Sequence, residues 1–201
     1  MAGRFGRGLD LTREALSRYD GNAGLPSLVR RVVTATRDEP DVLVCLPEVG
    51  RLLQLLAAGS GGRVAELGTG WGVGTARLAS GLPVGGALVT IEIDPERAAW
   101  SAQQFAGDDR VQVIAGDWTA AEEAGPYDLV FNDGGPKREP DAPSRLKPLL
   151  RKGGLVVLDD FTPGRTTADD PVRRIWLENS DWLGVELQVA ADAAVILAVA
   201  R

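Results

Sequence analysis

Apolar positions recur first at helical spacing and later in short runs set off by glycine and proline. Helical patterns cover Leu11–Tyr19 and Pro26–Thr36. A third, Pro47–Ala58, places Val49, Leu52, Leu53 and Leu56 on one face. Pro47 opens it at the first turn, where a missing N–H costs nothing, and Gly59-Ser60-Gly61-Gly62 ends it. Strand-like runs then alternate with helical ones. Val64–Leu67, Ala87–Ile93, Val111–Ala115, Tyr127–Asp133 and Leu155–Leu158 read as strands. Thr75–Leu82, Pro95–Phe105, Pro143–Leu150 and Pro171–Asn179 read as helices, with Asp94 and Asp170 positioned as N-caps and Gly153-Gly154 as a stop. The near-continuous apolar run of Tyr127–Asp133 suits a strand buried on both faces. Val185–Val189 and Ala194–Ala200, joined by Ala190–Ala193, are too closely connected to pair other than antiparallel.

This alternation predicts an α/β fold: a mostly parallel seven-stranded sheet with a C-terminal antiparallel hairpin and helices on both faces. Residues 1–46 are expected to form an N-terminal helical extension serving substrate, lid or dimer contacts, and residues 47–201 the sheet domain. A chain of 201 residues that is 44% apolar suits one core. Met1–Gly8 is Gly/Arg-rich and reads as loose.

One cysteine, Cys45, excludes an internal disulfide framework and fits a reducing cytoplasm. The longest apolar run, Ala193–Ala200, is too short to span a bilayer, and no leader opens the chain, so a soluble, cytoplasmic protein is expected. The net charge of −6 disfavours nucleic acid as a partner. A small basic patch stays open through Arg4, Arg7, Arg13, Arg18, Arg30, Arg31 and Arg37, which otherwise read as a solvated face. With no histidine, a general base must be Lys, Asp, Glu, Tyr, Cys or a metal-bound group. Only three lysines are present, Lys137, Lys147 and Lys152.

The chemistry concentrates after the strands. Val64–Leu67 runs into Gly68-Thr69-Gly70-Trp71-Gly72, and a glycine-rich turn between strand and helix offers bare backbone N–H groups to a nucleotide. The dinucleotide spacing G-x-G-x-x-G fails: the third position is Val73 or Thr75, depending on the starting glycine. What stands there is acid-x-Gly-x-Gly-x-Gly, at Glu66, Gly68, Gly70 and Gly72. Glu92 ends the second strand, where a carboxylate can accept both hydroxyls of a ribose. Asp117 follows the third strand, suited to an adenine amine, with Trp118 able to pack on the ring. Asp133 ends the fourth strand and Asp159-Asp160 the fifth. Three carboxylates in one cleft raise one another's pKa or attract a cation, and oxygen-only ligands suit Mg²⁺, Mn²⁺ or Ca²⁺. The alternative is that Asp159-Asp160 caps a solvated turn.

The glycine loop resembles the first motif of S-adenosylmethionine-dependent methyltransferases. From about Leu46 onward the chain resembles the metal-dependent catechol and caffeoyl-coenzyme A type O-methyltransferases. The likeness rests on Leu46-Pro47-Glu48-Val49-Gly50-Arg51-Leu52-Leu53, Glu66–Gly72, Ile91-Glu92-Ile93-Asp94-Pro95, Phe131-Asn132-Asp133 and Gly153–Asp160. It implies a Rossmann-like methyltransferase fold, a homodimer, and methyl transfer from S-adenosylmethionine to a hydroxyl of a small molecule, assisted by Mg²⁺ or another divalent cation. It further implies that Glu66, Gly68, Thr69, Gly70, Trp71 and Gly72 hold the methionine end of the cofactor, and Glu92 and Ile93 the ribose. Asp117 and Trp118 would frame adenine, with Asp133 also beside the cofactor. Asp133, Asp159 and Asp160 would be the metal ligands, and Lys137 with Asp133 the catalytic groups. Two departures stand out. The family's usual Asp-Asn is Asp159-Asp160 here. Lys137 lies four residues after Asp133 rather than three, across Gly134-Gly135-Pro136, so the loop either bulges to return it or leaves it in solvent. Three rivals remain: a tRNA hydroxyuridine methyltransferase of the same fold, a nucleotide-binding oxidoreductase, and a module that binds the cofactor without turnover.

Overall fold

The computed structural model describes residues 14–39 and 42–201. Met1–Gly8, Arg4, Arg7, Arg13 and the first part of the expected Leu11–Tyr19 helix lie outside them; residues 14–17 of that helix are helical. The helices are α1 (Ser27–Ala35), α2 (Pro47–Gly59), α3 (Val73–Gly81), α4 (Pro95–Phe105), α5 (Ala142–Leu146) and α6 (Pro171–Leu177). The strands are β1 (Arg63–Leu67), β2 (Ala87–Glu92), β3 (Val111–Ala115), β4 (Tyr127–Asn132), β5 (Leu150–Phe161), β6 (Trp182–Gln188) and β7 (Ala194–Ala200).

The strands form one sheet in the order β3-β2-β1-β4-β5-β7-β6. The first five are parallel, and β7 pairs antiparallel with both β5 and β6. This is the expected architecture. The order reverses between β1 and β4, which opens a crevice at their carboxyl ends. Register fixes what faces it. Leu67 lies beside Ile91 on one side and Asn132 on the other, and Asn132 beside Leu158. Gly68, Glu92, Asp133 and Asp159 therefore reach one edge together.

Side chains alternate across the sheet, and each face has its own core. Val64, Leu129, Phe131 and Val157 pack with Val29, Val33, Val49, Leu53 and Leu78 from α1, α2 and α3. Ala65, Leu67, Val130, Val156 and Leu158 pack on the other face with Leu146, Leu149 and Trp176. The N-terminal helices thus share a core with the sheet. Asp94 caps α4 through the N–H groups of Glu96 and Arg97, and Asp170 caps α6 through those of Val172 and Arg173.

Several segments differ from the sequence reading. The helix expected over Pro143–Leu150 ends at Leu146 and passes into a 3₁₀ turn, Lys147–Leu149. Strand β5 begins at Leu150 and runs through Gly153-Gly154, because Leu150 already pairs with Tyr127 before a register shift. Strand β6 begins at Trp182, whose ring is buried against Trp176. Trp118–Ala124 forms a 3₁₀ segment capped by Asp117.

Of the N-terminal arginines among the described residues, Arg18 pairs with Glu48 and Asp192 and Arg37 with Asp20, while Arg30 and Arg31 make no ion pair among the described residues. No helix among the described residues is long and apolar enough to cross a membrane.

Candidate active site

The crevice is a cavity of about 580 Å³. Gly68, Gly70, Trp71, Glu92, Ile93, Asp117, Trp118, Asp133, Asp159 and Asp160 line it. Of the residues expected around a cofactor, Glu66, Thr69 and Gly72 do not line it.

The loop is made by close backbone approach. Gly68 has φ +104°, and a Cβ there would sit 2.6 Å from the amide nitrogen of Gly134. Gly72, at φ +78°, is the left-handed residue that starts α3. The Glu66 carboxylate lies beneath this turn, 1% exposed. Its Oε2 accepts from Thr75 Oγ1 and, at 2.7 Å, from Thr90 Oγ1, while Thr69 and Thr90 hydroxyls meet at 2.6 Å. A Cβ on Gly74 would strike Glu66 Oε1. Burial pushes the Glu66 carboxyl up to about 8, against the two threonine hydrogen bonds. It braces the loop from within.

Glu92 is held toward the cavity. Gly70 N–H donates to its Oε2 at 2.7 Å and Asp94 N–H to its Oε1 at 3.0 Å, with Arg97 Nη2 3.2 Å from Oε1. Asp117 accepts from Thr119 N–H at 3.1 Å and Thr119 Oγ1 at 2.8 Å, and the Thr119 backbone bond holds its carboxyl below the usual range. The half-buried Trp118 ring lies beneath the Arg145 guanidinium, 4.8 Å from its centroid.

On the other side, Asp133, Asp159 and Asp160 each bring a carboxylate oxygen within 4.8 Å of the others. Neighbours on a regular strand face opposite ways. Here the β5–β7 register shifts between Leu158 and Phe161, and Asp160 adopts φ +70°, rare for a residue with a Cβ. The irregularity delivers both Asp159 and Asp160 to the cavity. Burial raises Asp159 to about 7, with Asp133 and Asp160 adding repulsion. Burial likewise raises Asp133 to about 6, against the pull of Lys137.

Lys137 returns to this cluster and is buried, 5% exposed. Its Nζ donates to Asp160 Oδ2 at 2.8 Å and to the Asp159 carbonyl at 3.2 Å, and lies 3.6 Å from Asp133 Oδ1. Two bonds shape the intervening loop: Gly135 N–H donates to Asn132 Oδ1 at 2.9 Å, and Trp176 Nε1 to the Lys137 carbonyl at 3.0 Å. One ammonium faces three carboxylates. That oxygen-only set with surplus negative charge fits a hard divalent cation.

Sequence reasoning missed part of the wall. Leu43, Val44, Cys45 and Leu46 approach from before α2, and Asp192 and Ala193 from the β6–β7 turn. Arg18 spans Glu48 and Asp192, tying these two walls together. The sequence signal for the first was only a short apolar run before Pro47. The Cys45 thiol is buried, and that burial pushes it well above its ordinary pKa.

Residues 65–161 match the family model of a methyltransferase domain. A Mycobacterium tuberculosis protein named probable O-methyltransferase is 41% identical over 136 residues, covering 63% of this chain and 60% of its own. A Mycobacterium avium relative, also named an O-methyltransferase, is 39% identical over 137 residues, covering 63% and 61%. The chain thus spans about three fifths of the length of these curated relatives. The Bacillus cereus O-methyltransferase solved with SAH superposes with a TM-score of 0.68 at 22% identity, over 95% of this chain and 99% of that one. The O-methyltransferase TomG of Streptomyces achromogenes, solved with SAM, gives 0.68 at 24% identity, over 96% and 99%. Residues 65–161 thus match a methyltransferase domain, on a fold shared with these solved methyltransferases, in a chain that resembles the O-methyltransferases by sequence.

Proposed function

We propose that this chain transfers a methyl group from S-adenosylmethionine to a hydroxyl of a small molecule, with a divalent cation held by Asp133, Asp159 and Asp160. One observation carries the reading: the glycine loop with Glu92 and the acid cluster with Lys137 open into the same cavity at the β1/β4 reversal. The relatives' names support the reaction class, and the SAM and SAH complexes of the structural neighbours support the donor.

In this reading Glu92 accepts from the ribose hydroxyls with Ile93 beside it, Asp117 and Trp118 frame the base, and the Gly68–Gly72 backbone holds the methionine end. The cation, when bound, lowers the pKa of the acceptor hydroxyl. Lys137 Nζ first releases its ammonium proton to solvent and then, as the free amine, receives the hydroxyl proton, with Asp133 and Asp160 holding it in position. The acceptor oxygen forms its bond to the sulfonium methyl carbon as the C–S bond breaks, and that electron pair stays on sulfur. Positioning supplies most of the acceleration. The walls from Leu43–Leu46 and Asp192–Ala193 shape the acceptor side.

The test is calorimetric titration with S-adenosylhomocysteine. The wild type should bind, and Glu92→Ala should bind at least about tenfold more weakly, roughly the worth of one lost pair of charge-assisted hydrogen bonds. No binding by folded wild-type protein would sink the proposal.

A further inference from the structure

The acid cluster has a second side. A smaller cavity of about 230 Å³ lies against it, and residues 159–162 line both cavities. Its remaining wall includes Lys137, Arg138, Arg165 and Asp170. The carboxylates in this wall already have partners. Asp170 is held by Arg173 Nη1 at 2.5 Å and caps α6. Asp160 is held by Lys137 at 2.8 Å, and Asp159 accepts from the Asp160 N–H at 2.7 Å.

Arg138 and Arg165 are different. Both are exposed, and neither makes a hydrogen bond or ion pair among the described residues. Two arginines without an ion-pair partner among the described residues therefore line a cavity that adjoins the acid cluster. The backbone that carries them is anchored. The Lys137 carbonyl, one residue before Arg138, is pinned by Trp176 Nε1. The segment bearing Arg165 is tied down by Arg173 Nη2 on the Thr162 carbonyl at 2.6 Å and by Arg174 Nε on the Thr167 carbonyl at 3.1 Å. Planar guanidiniums on a fixed backbone match the geometry of a carboxylate.

We infer that the acceptor carries an anionic group, a carboxylate foremost, and that Arg138 and Arg165 receive it in the smaller cavity while its hydroxyl reaches the acid cluster. This rests on the methyl-transfer reading above. The acceptor then straddles Asp160: hydroxyl on one side, anion on the other. Binding energy from the remote anion would orient the hydroxyl for transfer.

The experiment compares two probes that differ only in the anion, catechol and 3,4-dihydroxybenzoate, titrated into the protein with S-adenosylhomocysteine and Mg²⁺ present. The wild type should bind the carboxylate-bearing probe about tenfold more tightly, and raised salt should shrink the difference. Arg138→Ala/Arg165→Ala should bring the two affinities to within about twofold, and Arg138→Lys/Arg165→Lys should keep an intermediate preference, since charge survives without the planar fork. Equal wild-type affinities, a preference that survives the double alanine variant, or no measurable binding of 3,4-dihydroxybenzoate would each overturn the inference. Retained S-adenosylhomocysteine affinity in the double variant shows that it folds. Its absence from the wild type would instead sink the methyl-transfer reading, so the two failures are distinct.

Discussion

The two walls of the cavity handle negative charge in opposite ways. On the glycine-loop side each carboxylate is met by local donors: Glu66 by Thr75 and Thr90, Glu92 by two backbone N–H groups and Arg97, Asp117 by Thr119. On the other side three carboxylates share Lys137, and burial with mutual repulsion raises Asp133 and Asp159. The first wall is complete without a ligand. The second is charge-frustrated, and that is the condition under which a cation or a proton becomes part of the site. In the proposed reading the first wall grips the donor and the second reacts.

That contrast can be broken most directly at Gly68. Ala there would have to adopt φ +104° with its Cβ on the backbone of Gly134. Strain and overpacking together amount to about 3 kcal/mol or more, so S-adenosylhomocysteine affinity should fall beyond about a hundredfold. Calorimetry would show it, and unchanged affinity would mean the loop does not hold the donor.

Next comes the brace beneath the loop. The Glu66 pKa rises from 4.5 to about 8 on folding, so the folded state binds the extra proton. The contribution of Glu66 to stability is therefore fullest below pH 4.5 and declines as pH rises toward 8, by up to about 1.4 kcal/mol per pH unit. Glu66→Gln should flatten that decline in urea unfolding of the ligand-free protein, and an unchanged slope would show that the carboxylate is ionised throughout.

The reacting wall is probed by chelation. Removing divalent cations should cut methyl transfer to a catechol about tenfold or more, with Mg²⁺ restoring it, while S-adenosylhomocysteine affinity stays the same. A rate indifferent to chelation would leave Lys137 as the cluster's only counter-charge. The smallest effect is expected at Asp117. Asp117→Ala removes the cap of the 3₁₀ segment and should cost about 1 kcal/mol of stability, visible as a lowered unfolding midpoint.

Much of this was readable from the residues alone. The parallel strands, the capping aspartates at 94 and 170 and the antiparallel hairpin follow from periodicity and capping chemistry, which are local. The convergence of Glu92, Asp133 and Asp159 follows from parallel pairing, which aligns strand ends. What escaped depends on contacts between distant segments. The early start of β5 across Gly153-Gly154 depends on Leu150 pairing with Tyr127. Glu66 turns inward because Thr75 and Thr90, nine and twenty-four residues away, converge on it. The return of Lys137 depends on Trp176 holding its carbonyl from α6, thirty-nine residues on. Walls from residues 43–46 and 192–193 come from segments without periodicity of their own.

The carbonyl of Leu67 accepts from both Asp133 N–H, at 3.1 Å, and Gly134 N–H, at 2.6 Å. One oxygen thereby stitches the glycine loop to the loop that carries Lys137. For anyone redesigning this protein, the two halves are not separate modules. Exchanging residues 134–137 to admit a new acceptor would also disturb the seat of Gly68, and changes on the two sides should combine non-additively.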